Sequence, residues 1–77
     1  MRYRREVLRH LIIRALRRND FTAREPIDVV IKGDAVWLHG TVRHPDLIPE
    51  AVATVEAVAP FLQVYSRLRV RRPTVVA

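Results

Sequence analysis

Three histidines, a single serine, eight carboxylates and no cysteine are what acid-base, nucleophilic or metal chemistry would have to use in this 77-residue chain. His10, His39 and His44 have neither the spacing of a metal site nor thiolate partners. They are expected on a helix, a sheet face and a loop respectively. Ser66 stands outside any Gly-x-Ser-x-Gly elbow, on what reads as the buried side of a strand, so nothing would expose and activate its hydroxyl. With glycine only at Gly33 and Gly40 there is no loop to cradle a phosphate. His44 beside Asp46 reads as part of a helix start, with Asp46 as its cap, rather than as an acid-base pair. The expectation is a protein without catalysis, metal or cofactor.

The chemistry that remains is electrostatic and aromatic. The formal charge is +6, and it is unevenly placed. Residues 1–18 carry seven Arg against Glu6, residues 67–72 carry four Arg and no acid, and the 48 residues between them carry Arg24, Lys32 and Arg43 against seven acids. Thirteen of the fourteen basic residues are Arg, a bias that a high-GC or thermophilic genome produces as readily as a ligand site does. Two groups stand out. Arg2, Arg9, Arg14 and Arg17 fall on one side of a helical wheel, where they form either an ordinary solvated face or a peripheral contact with anionic lipid. Trp37, His39, Tyr65, Arg67 and Arg69 fall at alternate positions of two strands. Such a set covers a hairpin edge, meets a second copy of itself in a dimer, or stacks single-stranded nucleic acid.

These residues need elements to hold them, and the apolar periodicity supplies five. Over residues 2–18, Val7, Leu8, Leu11, Ile12, Ala15 and Leu16 occupy one half of a helix, while Arg2, Glu6, Arg9, His10, Ile13, Arg14 and Arg17 occupy the other. Residues 19–26 read as a loop, closed by Glu25-Pro26. The β-branched runs 27–32 and 35–42 flank Gly33-Asp34, a two-residue hairpin signal. In the second run Val36, Leu38, Gly40 and Val42 share one face, with Gly40 expected where a side chain would obstruct a helix. A second helix follows Asp46, with Pro49 in its first turn and Ile48, Val52, Val55 and Ala59 as its buried stripe. Pro60 ends it. A last strand alternates over residues 63–71, Val64, Ser66, Leu68 and Val70 against Tyr65, Arg67, Arg69 and Arg71.

The order α-β-β-α-β predicts an α+β fold, with two helices packed on one face of a three-stranded mixed sheet and the other face open. That open face should carry Trp37, His39, Thr41, Tyr65, Arg67 and Arg69, with Val30. A chain of this length holds one domain, read as 1–77 with its core at about 2–72 and a tail at 73–77. Neither an export signal nor a transmembrane span is legible, because Leu11-Ile12-Ile13 is closed by Arg14. This points to a cytoplasmic protein, peripheral at a membrane if α-helical arginines meet lipid.

Over nearly the whole chain the sequence resembles a BON domain, the small αββαβ module of bacterial osmotic-stress and nodulation proteins. Val36-Trp37-Leu38-His39-Gly40-Thr41-Val42 is similar to the family's hairpin pattern of an apolar residue, x, Leu, x, Gly, x, Val. Val64-Tyr65-Ser66-Arg67-Leu68-Arg69-Val70 is similar to its closing Val-x-Asn-x-Leu-x-Val, with Ser66 in place of Asn. Pro60-Phe61 stands where the family has Gly-Val. The resemblance implies a non-catalytic binding module that contacts phospholipid membranes or hydrophobic ligands. It assigns no catalytic or ligand residue, since the matched positions are core and turn residues. The expected partner is an anionic phospholipid surface or a protein, a homodimer included; a basic domain for single-stranded nucleic acid is the alternative.

Overall fold

The computed structural model describes residues 4–72. Helix α1 spans Arg5–Arg18, strands β1 and β2 span Ile27–Lys32 and Ala35–Val42, helix α2 spans Leu47–Val58, and strand β3 spans Gln63–Val70. The sheet order is β1-β2-β3, with β1 antiparallel and β3 parallel to the central strand. The fold is therefore α+β, with a mixed three-stranded sheet and two helices. Arg2 and the 73–77 tail lie outside the described residues.

The hairpin forms as its sequence requires. Gly33 has φ 60°, the positive value needed at the first central position of a two-residue turn, and Lys32 pairs with Ala35 across it. From that turn the pleat sends Val36, Leu38 and Val42 of β2 into the core, each at most 1% exposed. They meet Val29 of β1, Leu68 of β3, Leu8, Ile12 and Leu16 of α1, Ala51 and Val55 of α2, and Ala59 at its C-cap.

Gly40 is needed for a reason other than helix packing. Its φ is 122°, and a Cβ there would stand 2.0 Å from the Pro26 carbonyl oxygen. The obstruction is the backbone entering β1, which pairs Ile27 with Gly40.

Both helices are rotated from their expected orientation. In α1 the buried line is Leu8, Ile12 and Leu16, whereas Val7 and Leu11 are 45% and 40% exposed and Ile13 is half-buried against the core. The helix is anchored on the β1 side, where the Arg9 Nε donates to the Val29 carbonyl at 2.9 Å. That goes with Ile13 turned toward the core and the 7/11 flank turned out. In α2 the buried line is Ala51 and Val55, continued by Ala59 at the C-cap, with Ile48 and Val52 only half-buried. Small side chains on that line allow the helix to lie close to the sheet and to α1.

The start of α2 also differs. Asp46 has helical backbone angles and makes no side-chain cap. The Leu47 and Ile48 amides instead donate to the His44 and Pro45 carbonyls at 3.0 and 3.1 Å, and the Asp46 amide donates to His44 Nδ1 at 3.2 Å. A tight turn of backbone carbonyls has satisfied donors that a capping carboxylate would otherwise take.

Three polar residues of the 19–26 connection, read from sequence as simple loop, fasten the layers. Asn19 Nδ2 donates to Glu50 Oε1 and to Thr54 Oγ1, both at 2.9 Å, tying the end of α1 to the first turns of α2. The buried Thr22 hydroxyl donates to the Leu16 carbonyl at 2.6 Å. The Glu25 carboxylate, with its side chain 2% exposed, accepts the Arg43 amide at 2.7 Å and Arg43 Nε at 3.3 Å. A buried charge is tolerable only with such partners.

Truncating the central strand should reveal this arrangement in an unfolding titration. Leu38→Ala is expected to cost about 2 to 5 kcal/mol, through lost burial and a residual cavity. His39→Ala, one residue along and facing solvent, should change stability by less than about 0.5 kcal/mol. Gly40→Ala should be at least as costly as Leu38→Ala, because the Pro26 backbone has to move.

Candidate functional surfaces

The open side of the sheet is built by register. Val30 of β1, Trp37 of β2 and Tyr65 of β3 form one cross-strand row; Asp28, His39 and Arg67 form the next; Arg69 lies opposite Thr41. The five sheet residues expected from alternation therefore do share a face. Within it Trp37, Tyr65 and Arg67 are in contact. The indole and phenol rings stack at 4.6 Å between centroids and 25° between planes, and the Arg67 guanidinium lies over the indole, 5.3 Å from its centroid. The Tyr65 hydroxyl donates to Gln63 Oε1.

This geometry changes what the aromatics can do. A nucleobase platform needs ring faces turned outward. Here Trp37 and Tyr65 turn faces toward each other, and the guanidinium takes up indole face as well. The cluster acts as a cross-strand brace joining β2 to β3, with half-exposed edges. Beside it a shallow hollow of about 240 Å³ is lined by Val30, Lys32, Trp37, His39 and Arg67. Lys32 is a participant that the sequence reading left out, although the alternation of β1 places it on this face with Asp28 and Val30.

Ser66 is exposed, contrary to its expected burial, and Val70 is 39% exposed. Both point to the helix side of β3, but β3 is an edge strand. The buried line of α2 covers Leu68 and leaves much of the rest of that side open.

The helix surface splits the remaining arginines. Arg14 and Arg17 lie on the exposed arc opposite Leu8, Ile12 and Leu16, with Arg18 beside them. Arg9 sits on the flank, its Nε committed to the Val29 carbonyl and its terminal nitrogens left over. An open cleft of about 600 Å³ between α1 and the 22–28 segment is lined by Arg9, Arg17 and Arg24, together with Thr22, Glu25 and Asp28. Arg24 belongs to no periodic segment, so nothing in the sequence joined it to the helix. Glu25 is already engaged by Arg43, and Asp28, which also lines the cleft, belongs by alternation to the open-face row of the sheet. Among the described residues Arg43 pairs with Glu25 and the His44 ring lies 3.5 Å from the Asp46 carboxylate, so the arginines of α1 have no carboxylate partner there.

No group of three or more His, Cys, Asp or Glu among the described residues could hold a metal ion, and no described helix is long and apolar enough to cross a membrane. No protein-family model matches the chain, and no curated protein matches it either.

The brace can be measured directly. In a double-mutant cycle of Trp37→Leu and Tyr65→Leu, read by thermal or urea unfolding, the coupling is expected to be about 0.5 to 1.5 kcal/mol, the range for an aromatic pair beyond its buried area. A coupling indistinguishable from zero would mean that the rings are independent surface groups.

Proposed function

We propose that this chain is a small non-catalytic binding module of BON-like build that makes a peripheral contact with anionic phospholipid surfaces through α1. The observation that carries the reading is the unpaired basic arc of α1 and the arginine-lined cleft into which it continues. Arg14, Arg17 and Arg18 present charge outward, while Arg9, Arg17 and Arg24 surround a recess that a headgroup phosphate could enter. A guanidinium cluster suits phosphate oxygens, because the planar fork donates two parallel hydrogen bonds. The half-exposed Val7 and Leu11 lie on the Arg14/Arg18 side of the helix and add a small apolar contact.

The magnitudes favour a shallow and reversible attachment. Each Arg near an anionic surface contributes roughly 1 kcal/mol. Leu8, Ile12 and Leu16 are held by the core, so α1 cannot insert its main apolar stripe. Such a contact weakens as salt shortens the screening length. The peripheral association fits a cytoplasmic module. The αββαβ order, with two helices on a mixed sheet, is what a BON-like domain would have.

Single-stranded nucleic acid shares the phosphate chemistry but needs more, namely aromatic faces for the bases. The stacking of Trp37 on Tyr65 and of Arg67 on the indole leaves at most one phenol face for a base, and lipid is therefore the better-supported ligand.

Co-sedimentation with vesicles tests the proposal. Vesicles rich in phosphatidylserine or phosphatidylglycerol should retain the protein at low ionic strength and release it at high salt, while phosphatidylcholine vesicles should not bind it. Arg14→Glu with Arg17→Glu and Arg24→Glu, all at exposed positions, should weaken the contact by roughly a hundredfold or more, from about 1 kcal/mol per arginine. Retention on phosphatidylcholine, or binding of single-stranded RNA that Trp37→Ala abolishes, would move the functional surface away from α1.

A further inference from the structure

The two edges of the sheet are not equivalent. Along β1 the outward carbonyl of Val29 is taken by Arg9 of α1, and the Ile27 amide at the start of that edge donates to the Glu25 carbonyl. Along β3 the outward groups can be identified from the ladder. The Gln63 amide donates to the Asp34 carbonyl and the Arg71 amide to the Val42 carbonyl, so odd-numbered residues of β3 face β2. By the alternation of a parallel ladder, the amides and carbonyls of Val64, Ser66, Leu68 and Val70 point away from the sheet. Among the described residues, only the Leu68 amide has a partner on that side, a long 3.3 Å bond to its own strand's Ser66 Oγ.

We propose that this free edge of β3 is a docking site for an extended acidic segment of a partner protein, which adds a strand to the sheet by main-chain pairing. The edge is eight residues long and follows a paired central strand, so it offers a rigid template. Its two sides differ in chemistry. The open side carries Arg67 and Arg69, with Arg71 continuing their alternation just beyond the strand. The helix side carries half-buried Val64, exposed Ser66 and half-exposed Val70. A partner strand alternating acidic and apolar side chains would match both sides, because residues directly across a ladder share a face.

Charge decides between this partner and a second copy. Antiparallel edge-to-edge pairing of two β3 strands would bring the arginines of one copy onto the same face as those of the other. Like charges facing each other across a ladder are destabilising. The arginines that guard the edge against self-pairing thus select a segment of opposite charge. The same edge is distinct from the cleft and helix arc assigned to lipid, so this inference does not depend on that reading.

The test uses a synthetic peptide of alternating Glu and Val, matched in length to β3, against a peptide of identical composition with its Glu and Val in separate blocks. Titration followed by amide exchange in the NMR spectrum should show binding of the alternating peptide only, with new protection at the Val64, Ser66 and Val70 amides. Ser66→Pro removes an outward amide without breaking a bond to β2, a substitution that an edge strand tolerates. It should abolish peptide binding while the circular dichroism spectrum and the thermal midpoint stay close to the parent's. Arg67→Glu with Arg69→Glu should lower the affinity at least about tenfold and create affinity for a Lys/Val peptide, since the facing charges then repel the first and attract the second. If Ser66→Pro fails to fold, that charge-reversed variant, altered only at exposed positions, decides the matter. Equal affinity for the block peptide, protection confined to α1, or self-association that protects the same amides without peptide would overturn the proposal.

Discussion

Among the described residues strand β2 is the one strand paired along both edges, and its pleat determines where nearly every other one of them lies. Val36, Leu38 and Val42 face the helices and are essentially unexposed. Trp37, His39 and Thr41 consequently face the open side, where pairing brings Val30, Tyr65, Arg67 and Arg69 beside them. A shift of one residue in register would exchange the two sets and place an indole and an imidazole in the core. The Gly33 turn fixes the register at one end of the hairpin, and at the other Gly40 lets the Pro26 carbonyl pass where no side chain would fit.

A domain this small has little apolar burial to spare, so specific polar contacts carry much of the positioning of its layers. Asn19 bridges the two helices, Thr22 holds the end of α1, and Glu25 joins the entry of β1 to the exit of β2 through Arg43. These contacts also shape the basic cleft. By holding residues 22–25 against α1 they bring Arg24 to the same recess as Arg9 and Arg17, and by engaging Glu25 they keep its charge from cancelling theirs. The same bonds that make the connection compact thereby leave a cluster of guanidinium groups with few acids nearby.

Two basic surfaces result, and their shapes suit different ligands. The arc of α1 is convex and presents flexible side chains around a recess, which suits the mobile headgroups of a bilayer. The edge of β3 is linear, with backbone donors and acceptors in fixed alternation, which suits another extended chain. Between them the stacked Trp37 and Tyr65 brace the sheet, with both indole faces and one phenol face taken up by each other and by Arg67.

The amino-acid sequence by itself determined the five elements, the hairpin turn and the two faces of each strand, because helix and strand periods and a Gly-Asp turn are local properties of the chain. Thus Trp37, His39, Tyr65, Arg67 and Arg69 could be placed together from alternation alone. It also determined that the positive charge lies at the two ends of the described chain. Tertiary structure decided what depends on how the elements meet. The rotation of α1, which buries Ile13 in part and exposes Val7 and Leu11, goes with its anchorage on β1 through Arg9, a contact between side chain and distant backbone that helical periodicity does not contain. The line Ala51, Val55 and Ala59 was chosen over Ile48 and Val52 by the close approach of α2, which the helical period does not specify. Ser66 lies in solvent because its strand is at the edge, and Glu25 is buried because Arg43 arrives 18 positions later to meet it. Pairings across such separations are set by the assembled layers, and no spacing rule within one segment contains them.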